Sequence, residues 1–405
     1  MKTNVNNKLT WINFLHFYQP ANADGHIIEE ATEMSYLRII RALEEHPNIK
    51  FTFNITACLI LRWEELKYFD LIKRIKKLIK KGQIELTGSA AFHPILPLIP
   101  EKEVVKQIKE NNETLKYFFG KDIKLNGFFL PEMAYSLKVA KLIKEFGYSW
   151  LILDEIAYRG KFFTSVLSKR DKKQVDFSKI YLGEDSGLKI IFRSRKFSKC
   201  YVPDFINKEI KKVNLKNPYI TATDAELYGL RHIDQTAEFE KLLKIKNLET
   251  FIISDFIKKT KEVEKIKPIA SSWETTEKDL KQNKPYALWY EKNNKIQQRL
   301  WQLANLVYKT VEYNKNDDNY GWARWHFVRG LASCTFWWAS AKDFRLFGPI
   351  SWNPDEIERG INELIRAVRA LDDVTTRQTK IKAERLYIKI KQMVWEKHWT
   401  YYWKK

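Results

Sequence analysis

Up to about residue 267 the chain alternates two patterns of apolar positions. Short runs rich in β-branched and aromatic residues, at 10–16, 50–55, 83–87, 126–130, 149–154, 188–193 and 219–223, with a further one at 250–254, read as strands. Between them, as at 28–44, 59–81, 101–119 and 137–146, apolar residues recur every three or four positions, the period of an amphipathic helix. Alternation of this kind predicts a parallel sheet, and seven or eight such units predict a sheet closed into a barrel of the TIM kind.

Beyond Lys267 the short runs stop and long helical periods take over, at 295–313, 321–341, 354–371 and 376–395. Asn353-Pro354 and Asp372-Asp373 punctuate them, with Pro354 suited to a first helical turn. The expected fold class is therefore α/β: a barrel over 1–267, and a C-terminal helical bundle over 268–405 that packs on it and contributes to the substrate cleft.

Composition changes this picture little. Lys and Arg number 71 against 50 Asp and Glu, a formal charge of +21. The lysines sit at helical spacing among glutamates (Lys73, Lys76, Lys77, Lys80, Lys81), so they read as solvated helix faces rather than a nucleic-acid surface. No apolar run reaches the roughly 18 residues of a membrane span. The N-terminal apolar run lacks a small-residue cleavage site, and Cys58, Cys200 and Cys334 are few, odd in number and far apart. The expectation is a cytoplasmic protein with no metal, no cofactor, and neither nucleic acid nor membrane as partner; its oligomeric state is not encoded in these patterns. The aromatic share of 14% is the more informative figure, because flat rings stack on sugar faces, although they also fill cores.

In a β/α barrel the chemistry gathers where strands end, so the polar residues at strand tips are the candidates. These are His16 and Gln19 after the first strand, His93 after the third, Glu132 after the fourth, Asp154 after the fifth, Arg193 after the sixth, and Asp224 and Glu226 after the seventh. Glu132 follows Pro131, which stops a strand; its simplest role is to cap the helix that follows, and its other role is to face a cleft. Two carboxylates on different strand tips are what glycosidic cleavage needs, one to attack the anomeric carbon and one to protonate the leaving oxygen. His16, His93 and Asp224 could also converge on a cation, as in barrel deacetylases, but an Asp-Asp pair after the first strand and an H-x3-H spacing are both missing.

Five motifs, in order and spanning most of the chain, carry a resemblance: LHFYQP at 15–20, GQIELTGSAAFHPILPLIP at 82–100, GFFLPEMAYS at 127–136, TDAELYGLRH at 223–232, and the segment 270–301 beginning ASSWETT. In these the chain resembles the family 57 glycoside hydrolases, in particular their short, poorly characterised branch. The resemblance implies a (β/α)7 barrel followed by a helical region, and a retaining enzyme acting on α-glucans as a hydrolase or 4-α-glucanotransferase. An α-1,6 branching enzyme or a non-catalytic glycan-binding relative are the alternatives. It further implies Glu132 as nucleophile and Asp224 as general acid/base, with His16, Gln19 and His93 lining the sugar site. Glu226, which would share a face with Asp224 if the strand continued, then binds or orients, and His232, Asp154 and Arg193 are further substrate-binding candidates. Trp273 is either an aromatic wall for the substrate or a ring docking the helical region. Tyr18 stands where many members have a second histidine, and Leu230 and Arg231 stand where many carry a histidine pair.

Overall fold

The computed structural model of the chain describes residues 8–159, 174–211, 218–341 and 351–403. Ten strands are present among them: β1 (Leu9–Phe17), β2 (Phe51–Ile55), β3 (Ile84–Leu86), β4 (Gly127–Phe128), β5 (Trp150–Asp154), β6 (Ile180–Gly183), β7 (Lys189–Arg193), β8 (Tyr219–Asp224), β9 (Leu248–Thr250) and β10 (Val263–Ile266). They form two ladders, β3-β2-β1-β8 with β9 also on β1, and β10-β6-β7-β5-β4. All pairings are parallel except β6 with β7.

Two seams join the ladders. At one, Gly88 bridges Phe128, with Gly88 N donating to Gly127 O and Phe129 N to Gly88 O, both at 2.9 Å. At the other, Ser194 N donates to Ile220 O at 3.0 Å and Arg193 Nη1 to Ala222 O at 2.6 Å. β1, β2, β3, β4, β5, β7 and β8 thus follow one another round a ring, a (β/α)7 barrel, with β6, β9 and β10 outside it. The first seam depends on glycine. A Cβ on Gly88 would lie 2.0 Å from the Tyr148 hydroxyl, and one on Gly127 would lie 2.1 Å from the Trp150 ring.

Strand alternation decides which side chains enter the ring. Ile12 and Phe14 of β1, Trp150 and Ile152 of β5, Ile191 of β7, and Ile220 and Ala222 of β8 share one apolar cluster, the barrel interior. Their neighbours Trp11, Leu15 and Phe17, and Leu151, Leu153, Ile190 and Phe192, pack outward under the helices. Extended by two residues, the inward series reaches His16, Asp154, Arg193 and Asp224 at the strand tips.

Several elements depart from the periodicity. The pattern at 59–81 is two helices, Ala57–Glu65 and Phe69–Lys80. The first ends in a Schellman cap: Lys67 is left-handed at φ 64° and Tyr68 N reaches back to Trp63 O at 2.8 Å. The pattern at 28–44 holds a π-helical segment, Thr32–Tyr36. At 250–254 the strand ends at Thr250 and a helix, Ile253–Lys259, begins. β6 and β10 were not expected: β6 is a short run and β10 an edge strand with exposed Val263.

The chain divides into two compact units. The barrel unit comprises residues up to Gln19, Ala23–Ala91 and Leu96–Leu280. The second comprises Pro20–Asn22, Phe92–Ile95 and Lys281–Lys405, so the division falls some way beyond Lys267. Its described helices include Lys295–Tyr313, Tyr320–Gly330, Ser333–Trp337, Pro354–Arg369 and Asp373–Trp403. The period at 321–341 breaks after Gly330, where Ser333 turns to His93: its N donates to His93 O and its Oγ lies against His93 Nδ1, both at 3.0 Å.

Candidate active site

At the tips of β1 and β8, His16 and Asp224 are direct register partners. The His16 ring is buried, with Nδ1 at 2.8 Å from Asn54 Oδ1 on β2. Burial pushes its pKa down to about 4, against the opposing pull of the Asp224 charge and the Asn54 contact. Asp224 is a quarter exposed, and its Oδ2 accepts from Arg231 Nη1 at 2.9 Å. At Asp224 the strand ends and a 3-10 turn, Ala225–Tyr228, begins. Glu226 therefore does not continue the strand face: it is buried on that turn, with Oε1 accepting from Gln19 Nε2 at 2.8 Å and from the Tyr36 hydroxyl.

The β4 tip is built differently. Pro131 opens a 3-10 turn, Pro131–Met133, in which Glu132 has φ 58° and Met133 φ 48°. Left-handed backbone at non-glycine residues costs about 1–3 kcal/mol each and persists where the surroundings over-determine it. Here the segment 271–273 does so, with Trp273 N donating to Glu132 O at 3.1 Å and Tyr135 N to Ser271 O at 2.8 Å. The indole Nε1 of Trp273 also donates to Glu132 Oε2 at 2.8 Å. The Trp273 ring meets His16 edge-on at 6.0 Å, and Phe129 tilts against His16 at 4.6 Å. One aromatic patch thus links the two carboxylate-bearing tips. The helix after β4, Leu137–Glu145, is capped by Ser136, whose Oγ accepts from Val139 N, so that cap does not use Glu132.

Between these tips lies a buried ion cluster. Asp154 accepts from Arg193 Nε and is paired with Arg195 Nη2, both at 2.8 Å. Arg193 also lies over the Trp273 ring at 4.9 Å, and Arg195 Nη1 donates to Thr275 O at 2.8 Å. The cluster holds the Trp273 loop against the β5 and β7 tips, which in turn positions the donor to Glu132. Among the described residues, no group of three or more His, Cys, Asp or Glu side chains is arranged to hold a metal ion.

The chain matches the family model "Glycosyl hydrolase family 57" over residues 5–268, more than half its length. The chain belongs to glycosyl hydrolase family 57. An α-amylase from Dictyoglomus thermophilum is 31% identical over 176 residues, covering 44% of this chain and 24% of that protein. A 4-α-glucanotransferase from Thermococcus litoralis is 29% identical over 167 residues, covering 40% and 24%. The matched stretch is thus about a quarter of the length of these relatives. Among solved structures, the glucanotransferase from Thermococcus litoralis aligns with TM-score 0.67 at 17% identity, over 90% of this chain and 60% of that one. A family 57 branching enzyme from Thermococcus kodakaraensis aligns with TM-score 0.67 at 14% identity, over 95% and 96%. At such identities these two alignments speak to the fold, which is the family 57 barrel.

Of the residues singled out from the sequence, His16, Gln19, Glu132, Asp154, Arg193, Asp224, Glu226 and Trp273 all belong to the barrel unit, at or beyond the ends of its ring strands. His93 falls in the second unit. The ring of His232 is stacked on Tyr201 at 3.9 Å. Arg195, a polar residue at the same strand tip as Arg193, joins Asp154, and two contributors gave no sequence signal as site residues: Tyr36 on Glu226 and Asn54 on His16. Only Asn54 is traceable afterwards, as a polar residue in an otherwise apolar strand. Among the described residues no helix is long and apolar enough to cross a membrane.

Proposed function

We propose that the chain is a retaining α-glucan-active enzyme, a hydrolase or 4-α-glucanotransferase working by double displacement. The observation that carries this reading is the pair of carboxylates on the tips of β4 and β8, joined by the Trp273 and His16 rings. Glu132 is the nucleophile: its Oε1 attacks the anomeric carbon while Oε2 is steadied by the indole N–H. Asp224 donates a proton to the leaving oxygen, and in the second half takes one from water or from a sugar hydroxyl. His16, neutral above about pH 4, is a hydrogen-bonding partner for a hydroxyl rather than a second acid. The names of the amylase and glucanotransferase relatives support α-1,4-glucan as the substrate.

The test is incubation with maltoheptaose and with amylose, followed by chromatography and anomeric proton NMR of the first products. Shorter α-anomeric sugars indicate retaining hydrolysis, and a ladder extending above the input indicates transfer. New α-1,6 linkages would replace this reading with branching. Binding of either glucan without any product would reduce the protein to a glycan-binding relative.

A further inference from the structure

The seam beside β8 is closed largely by side chains. β8 pairs with β1 along one edge, and neither ladder joins its other edge to β7. Ala222 lies on β8 two residues before Asp224, and both of its backbone groups on that second edge meet side chains from β7 and the turn after it. Its carbonyl accepts from Arg193 Nη1 at 2.6 Å, and its N–H donates to Ser198 Oγ at 3.1 Å. A ladder would fix the spacing of the two strands here; at this tip a guanidinium stands between them. Arg193 is 4% exposed, and its planar head is engaged on three sides. Nε donates at 2.8 Å to Asp154, the register partner of Arg193 on β5, and Nη1 reaches β8. The face of the head lies over the Trp273 ring at 4.9 Å. Asp154 is itself fixed by Arg195 Nη2 at 2.8 Å and by Ile156 N at 3.1 Å. Trp273 in turn donates its indole N–H to Glu132 Oε2 at 2.8 Å. One buried side chain thus touches both the strand that ends in Asp224 and the ring that holds Glu132.

We propose that Arg193 is a positioning residue, in place of the sugar contact expected from its strand-tip position. Its fork sets the separation of the two carboxyls, acting on Asp224 through Ala222 and on Glu132 through Trp273. Retention through a covalent intermediate requires carboxyls about 5–5.5 Å apart, against about 6.5–9.5 Å where a water must fit between them. A displacement of about 1 Å is enough to cost about a hundredfold in rate, so a rigid spacer between the tips has a direct chemical consequence. Lysine cannot take the place of this group. An ammonium is a point charge on a flexible stem, and it does not meet a carboxylate, a carbonyl and an aromatic face with one rigid plane. The proposal rests on Glu132 as nucleophile and Asp224 as acid/base.

One arm of the test needs no glucan. Crystal structures of the wild-type protein and of Arg193→Lys should differ by about 1 Å or more in the separation of the Glu132 and Asp224 carboxyl carbons. An unchanged separation overturns the proposal. If Arg193→Lys does not fold, Arg193→Met serves instead, because Asp154 keeps Arg195 as its partner there. The second arm is kinetic. On maltoheptaose, kcat of Arg193→Lys should fall about tenfold to a hundredfold while KM stays within about threefold. On α-maltotriosyl fluoride, whose fluoride departs with little help from an acid, the fall should be smaller by at least about fivefold, since only the Glu132 end of the spacer then matters. A merely structural role would lower both rates by the same factor, in step with the fraction of folded protein. Equal losses on the two substrates, or full activity in Arg193→Lys, overturn the proposal. A wild-type protein that neither cleaves nor transfers any glucan defeats the proposed function, and the crystallographic arm still decides whether Arg193 sets the separation of the two carboxyls.

Discussion

The two tips that carry the proposed chemistry are held by opposite means. At β4 the backbone does the work: Glu132 is placed by a left-handed turn that segment 271–273 pins, and its carboxylate meets a neutral donor, the Trp273 indole. At β8 the backbone is an ordinary strand in register with β1, and charge does the work, through Arg231 on Asp224 and the buried Glu226 beyond. The difference follows from the roles proposed. A nucleophile has to keep one position and one charge, which a rigid turn and a fixed donor to the carboxylate favour. An acid/base has to change its ionisation twice per turnover, and the partner the structure gives Asp224 is a half-exposed guanidinium, not a fixed neutral donor.

The largest effect expected from breaking this contrast is at Glu132. Glu132→Gln keeps the shape and the indole contact but removes the nucleophile, and kcat on a glucan substrate should fall by at least about a thousandfold with the melting temperature nearly unchanged. Retention of most activity would move the nucleophile elsewhere.

Next comes the cluster that both tips lean on. Asp154→Ala leaves Arg193 and Arg195 buried without their carboxylate, and removing one partner of such a cluster costs about 3–5 kcal/mol. Urea unfolding should report that loss, and a change under about 1 kcal/mol would show that water reaches the guanidiniums and that the cluster is not what holds the Trp273 loop.

These two positions also show what could be read in advance. Alternation in apolar strands was legible, and it carried His16, Asp154, Arg193 and Asp224 to the inward side of the tips without any further assumption. The left-handed turn at Glu132 was not, because a positive φ at a glutamate has no local signature and arises from the pinning by residues 271–273, far away in sequence. Tyr36 was equally hidden: its run reads as an ordinary amphipathic helix, and that pattern carries no signature of the π-helical segment that ends at Tyr36. Glu226 was assigned to the strand face, and the 3-10 turn that begins after Asp224 carries it elsewhere. The roles of the carboxylates came from the family motifs, since spacing alone left Glu132 as either cap or cleft residue.

A smaller effect is confined to the β8 side. His16 has its folded pKa lowered to about 4 from 6.5, so between these values the unfolded chain binds a proton that the folded one refuses. Stability is therefore full above about pH 6.5 and falls as the pH drops toward 4, by up to about 3 kcal/mol from this group. In His16→Gln that part of the pH dependence should disappear from urea midpoints measured across the window. In Asp224→Asn the histidine should titrate lower still by proton NMR, because the charge that favours its protonated form is gone, whereas Glu132→Gln should leave it nearly in place. Equal shifts in both variants would mean that the tips share one electrostatic field and would remove the contrast.

The smallest effect tests the donor at β4 directly. Trp273→Phe keeps a ring for Arg193 and His16 to rest against but deletes the N–H that meets Glu132 Oε2 at 2.8 Å. A hydrogen bond to a charged group contributes about 1.5–3 kcal/mol, so kcat should fall about tenfold to a hundredfold, with KM changed less because the lost contact acts on the nucleophile and not on a bound sugar. Ionic strength then separates the two tips. The indole is a neutral donor in a largely buried contact, so the ratio of wild-type to Trp273→Phe rates should be the same at low and high salt. The Arg231–Asp224 pair has a guanidinium more than half exposed, and screening by salt should shrink the ratio of wild-type to Arg231→Met rates. Salt dependence of similar size in both ratios would show that Glu132, too, is governed by exposed charge, and the rigid-turn account of the β4 tip would fail.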